Sequence, residues 1–90
     1  MPYTDYMYLN RSNVIEGLGW YGVLAVVGAY GMLSLGMISA NDLVYQLLNL
    51  TGALAIMIDA YKDGNMQPVV LNVVWAVIAV VGLWNVWVGW

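Results

Sequence analysis

The chain reads as all-α: a three-helix transmembrane bundle, expected to pack as a dimer or higher oligomer. Hydrophobic residues make up 63% of the 90 positions and charged residues only 8%, against roughly 45–50% and about 25% in an ordinary soluble chain. Two uncharged runs, Gly17 to Asn41 and Gly64 to Trp90, flank a middle stretch, Asp42 to Lys62, that is itself about one bilayer long. Glycine and capping signals separate the three stretches. A soluble fold of this size would leave most of the apolar surface in water, whereas lipid removes that cost. The whole chain, 1–90, is thus one transmembrane domain, with helices expected over about 14–38, 42–62 and 66–88.

Residues 1–13 carry Tyr3, Tyr6 and Tyr8 among polar neighbours, a composition suited to the headgroup level or to a frayed terminus. They lack the basic start of a signal peptide, and the apolar run that follows is too long for one, so the first run is expected to be retained as an anchor. Asn13 with Glu16 three residues later has the form of a capping box opening the first helix. Beyond it Gly19, Gly22, Ala25 and Ala29 fall roughly on one helical face. Small residues let a second helix approach closely in lipid, where van der Waals contact replaces hydrophobic drive. Gly52 and Gly82 are the matching candidates on the other two helices.

Ser39 and Asp42 form a second capping box, and a short loop there implies an antiparallel return. The middle helix is the least hydrophobic, which places it inside, sheltered by the other two. Lys62-Asp63-Gly64-Asn65 closes it, with Gly64 in the position after the C-cap. Pro68 fits the first turn of the third helix. That helix is rich in valine, a strand former in water, but a lipid span must satisfy its own backbone and so must be helical. Trp84, Trp87 and Trp90 at its tail, and Trp20, Tyr21 and Tyr61 at the opposite side, match interfacial belts.

The polar residues inside the spans are the candidate functional groups: Tyr30, Gln46, Asn49, Asp59 and Asn72. Counting 1.5 Å per residue, Asn49 lies roughly 10 Å from one surface, level with Tyr30, which makes Tyr30 or a carbonyl beside glycine its expected partner. Asp59 and Asn72 are expected at matched depth, with Lys62 one turn away to pair with Asp59. Two readings follow for Asn49 and Asn72: hydrogen-bonding glue between helices, or the lining of a small polar cavity.

Composition excludes much else. There is no cysteine and no histidine, hence no thiolate chemistry, no usual general base and no clustered metal ligands; neither a cofactor nor a metal is expected. The few hydroxyls have no base to activate them, so no enzymatic activity is expected. A formal charge of −3 argues against nucleic acid as a partner. The expected partners are the bilayer and a second copy or another membrane protein. Arg11 and Lys62 fall on one side of the membrane, which places the N-terminus in the cytoplasm and the C-terminus outside.

Leu18-Gly19-Trp20-x-Gly22, Ala29-Tyr30, Leu33, Ser39-Ala40-x-Asp42, Tyr45-Gln46-Leu47-Leu48-Asn49-x-x-Gly52-Ala53, Pro68, Asn72, Trp75 and Gly82 together resemble a widespread family of small bacterial membrane proteins. The resemblance runs from Leu18 to Leu83 and implies three spans, the inner membrane and no established biochemical role. The layout also has a distant likeness to half-transporters of the SWEET and PQ-loop type, in which Asn72 would correspond to an asparagine of the third helix. Their Pro-Gln pair is absent here, where the first helix reads Ala29-Tyr30-Gly31. The leading expectation is a structural or partner-binding membrane protein, and the alternative is an oligomeric carrier or channel for a small solute or ion.

Overall fold

In the computed structural model, residues 11–89 are described; Tyr3, Tyr6, Tyr8 and Trp90 lie outside the described residues. Three helices follow one another: α1 (Arg11–Ser34), α2 (Leu43–Lys62) and α3 (Met66–Val88). Each is long and apolar enough to cross a bilayer. The protein is an all-α three-helix bundle of transmembrane type.

The first helix departs from expectation at both ends. Asn13 sits inside α1 and does not cap it. At the other end α1 stops at Ser34, four residues early, because Gly36 takes a left-handed φ of +75°. The Gly36 N–H donates to Leu33 O at 3.1 Å and the Met37 N–H to Met32 O at 2.8 Å, a Schellman closure that satisfies the last carbonyls. The same closure ends α2: Gly64 has φ +71°, its N–H meets Tyr61 O at 3.0 Å, and Asn65 N–H meets Ala60 O at 2.9 Å.

The loop between α1 and α2, residues 35–42, is therefore longer than the spacing implied. Ser39 and Asp42 make the reciprocal bonds of a capping box, but on the turn before the helix. Ser39 N–H donates to Asp42 Oδ2 at 2.8 Å, and Asn41 N–H donates to Ser39 Oγ at 3.0 Å. The N-cap itself is Asp42, whose side chain makes no capping bond. Gln46 Nε2 reaches back to Ala40 O at 2.8 Å and ties the loop to the first turn of α2.

Packing is built from small residues. Every buried hydrophobic residue is an alanine (25, 29, 53, 55, 60, 76 and 79), and leucine, valine and tryptophan point outward. That arrangement is inverted relative to a soluble core and suits a solvent as apolar as the side chains facing it. The middle helix contacts both neighbours, while α1 and α3 barely meet. On α2 the α1-facing Gly52 and Asp59 and the α3-facing Gln46 lie roughly 120–140° apart at 100° per residue. Both outer helices thus sit on one half of α2. The other half, with Val44, Leu47, Leu54, Ile58 and Tyr61, is exposed. The expectation of a sheltered middle helix holds on one side only.

Candidate functional site

Because α1 and α3 flank one half of α2 without closing over it, they leave a groove, and its linings include most of the polar side chains of the spans. Three depressions follow it. At the Lys62 end, Glu16, Gly19, Trp20, Val23, Ile56, Asp59 and Asp63 line a hollow of about 360 Å³. The next, about 220 Å³, shares Ile56 and adds Val26, Leu71, Asn72 and Trp75. The third, about 290 Å³, lies toward the 35–42 loop and is lined by Ala40, Tyr45, Gln46, Asn49, Trp75, Ile78 and Ala79. Trp75 borders the second and third, Ile56 the first and second.

The close approach of α1 to α2 explains the first wall. A Cβ on Gly22 would come within 2.5 Å of Gly52 O and 2.7 Å of Ile56 Cγ1, and one on Gly52 would come within 2.8 Å of Val26 Cγ2 and 3.2 Å of Ala25 Cβ. A Cβ on Gly19 would collide with the Asp59 carboxylate. The strip of Gly19, Gly22, Ala25 and Ala29 is buried. Its contacts are spent on α2 of the same chain, so it is not the face offered to a second copy. Gly82 does for α3 what Gly22 does for α1: its missing side chain seats the Gln46 amide.

Asn49 is 5% exposed. Its Nδ2 donates to Tyr45 O at 2.8 Å, and its Oδ1 accepts from Trp75 Nε1 at 3.0 Å. The partner across the helices is therefore Trp75, not Tyr30, which is 64% exposed. Depth counting found the right level but could not fix the facing of α1. Asn72, 7% exposed, donates from Nδ2 to Pro68 O at 2.8 Å and is not joined to Asp59. Both asparagines thus recover a hydrogen bond from the carbonyl four residues back, the usual local choice for a polar side chain in lipid.

Asp59 does pair with Lys62, Oδ1 to Nζ at 3.5 Å, and Asp63 joins from the other side at 3.3 Å. Lys62 is outside the lining of the hollow, whereas Glu16, Asp59 and Asp63 are within it. Asp59 Oδ1 is buried and accepts no hydrogen bond. Among the described residues no three acidic side chains are grouped closely enough to hold a metal ion.

One polar contact had no sequence signal. Tyr21 and Thr51 meet hydroxyl to hydroxyl at 2.7 Å. The single Thr51 proton goes to Leu47 O at 2.8 Å, so Tyr21 is the donor. Thr51 is eight residues, roughly 12 Å, from the start of α2, so Tyr21 reaches the middle of the span and is not part of an interfacial belt. Only side-chain length and helix docking together place it there.

No curated protein and no solved structure matches the chain, and nothing ties it to the SWEET or PQ-loop half-transporters. A family model matches residues 15–89, which takes in all three spans and every groove residue named above. The chain belongs to that family, as a small three-span helical membrane protein of uncharacterised biochemical activity.

Proposed function

We propose that the protein is a non-catalytic, partner-binding component of the bacterial inner membrane, with its N-terminus cytoplasmic, and that the groove between α1 and α3 is its binding surface. One observation carries this reading: both outer helices sit on one half of α2 and barely meet, leaving an open, partly polar trough. The rest of the chain's adhesive chemistry is used internally. The small-residue strip holds α1 to α2, Asn49 holds α2 to α3, and the Ser39 and Thr51 hydroxyls serve local backbone bonds. What remains available to another molecule is the trough.

A photo-crosslinking amino acid at Val23, on the groove, is expected to capture a defined species in native membranes. The same probe at Leu54, on the exposed back of α2, is expected to give only diffuse lipid adducts. Capture at Leu54 and none at Val23 would overturn the reading. The carrier alternative keeps one support, that Asn49 and Asn72 each line a depression of the groove. Their amide groups are nonetheless committed to the chain itself, which favours glue over a solute path.

A further inference from the structure

We propose that the carboxylate end of the groove holds the ammonium head of an aminophospholipid, whose acyl chain lies along the apolar continuation; this rests on the groove being the binding surface. The trough is graded along the bilayer normal in the sense that such a molecule requires. At the Lys62 end stand Glu16, Asp59 and Asp63, with Trp20 and Val23 beside them. Past the shared Ile56, the lining becomes Val26 and Leu71, with Asn72 already hydrogen-bonded to its own helix and Trp75 turned to Asn49. Glu16 and Val26 are ten residues apart, roughly 15 Å along α1. The polar hollow therefore sits at headgroup level and the apolar one at acyl level.

Charge selects the head. Three carboxylates against the single ammonium of Lys62 leave two negative charges at the mouth. A primary ammonium donates three hydrogen bonds, as lysine does, and Asp59 Oδ1 is a buried acceptor with none. A choline head has the charge but no donor. The indole of Trp20 in the same lining adds a face for a cation. Lys62, fixed at the rim by Asp59 and Asp63, is the cation that the lipid's phosphate meets. Because the acidic side chains do not converge as a ligand set for a metal, their spread suits a multi-donor organic ammonium better than a bare ion.

The test uses the full chain in nanodiscs of equal dioleoyl phosphatidylethanolamine, phosphatidylcholine and phosphatidylglycerol, with retained lipid read by native mass spectrometry. Ethanolamine lipid is expected to exceed choline lipid by about tenfold, the ratio that one charge-assisted hydrogen bond supplies at 1.4 kcal/mol per decade. Glu16→Gln, at an exposed position, is expected to reduce that ratio severalfold, and Glu16→Gln with Asp59→Asn to bring it close to one. Helical content and monodispersity of each variant report whether the bundle persists. Equal retention of ethanolamine and choline lipids, or preference for the glycerol lipid, would overturn the headgroup assignment while leaving an occupied groove. Capture of a protein at Val23, with no lipid retained, would overturn it too. No capture of any kind at Val23 would remove both this inference and the binding surface beneath it.

Discussion

Gly22 and Gly28 lie six residues apart on one helix, and adding the same methyl group to each has opposite expected results. At Gly22 a Cβ meets the Gly52 carbonyl and Ile56; at Gly28 nothing lies within 4 Å. We predict that Gly22→Ala destabilises the bundle by about 1–3 kcal/mol through overpacking. Gly28→Ala is expected to stabilise it by about 0.4–1 kcal/mol by restricting the unfolded chain. Unfolding titrations in mixed micelles measure both, and equal effects would dismiss the close-approach argument. Trp75→Phe removes the donor to Asn49 Oδ1 and is expected to cost about 0.6–2 kcal/mol. The small residues of α1 were legible because glycine and alanine recur on one face. The Asn49 partner was not, since three helices pass its depth and only their docking selects one.

At the scale of elements, the ends of α1 and α2 are set by single glycines. Gly36 and Gly64 are left-handed, a conformation that costs a residue with a Cβ about 1–2 kcal/mol. Gly64→Ala is accordingly expected to lower stability by about that amount, in the same titration. A value near zero would mean that the turn can close some other way. The glycine after Lys62 could be read from the chain; the one that shortens α1 was passed over because the uncharged run continues beyond it. Across the α1–α2 seam, Tyr21→Phe is expected to cost about 0.6–2 kcal/mol through loss of the hydroxyl pair with Thr51. Thr51→Val should then add little further, which a double-mutant cycle would show.

For the whole molecule the decisive fact is the alanine interior with large side chains outside. Such a bundle has no reason to hold together in water, where Leu24, Leu35, Trp87 and their neighbours would be exposed. It is stable in lipid because close backbone approach through Gly19, Gly22 and Gly52 gives contact that acyl chains do not match. Orientation belongs to this scale as well. A reporter fused after Trp90 is expected to read periplasmic, since Arg11 and Lys62 both lie on the opposite side. A cytoplasmic reading would invert the bundle and move the acidic mouth of the groove to the outer leaflet.

Taken alone, the order of residues determined that the chain crosses the bilayer three times and turns where it does. A span of some twenty apolar residues must bond its backbone to itself, and that constraint is local. The tertiary structure decided which faces meet: Trp75 against Asn49, Tyr21 against Thr51, and a trough left between α1 and α3. In water the buried face of a helix announces itself by being apolar. Here nearly every face is apolar, so shape and hydrogen bonding choose the partners, and both exist only once the helices have docked.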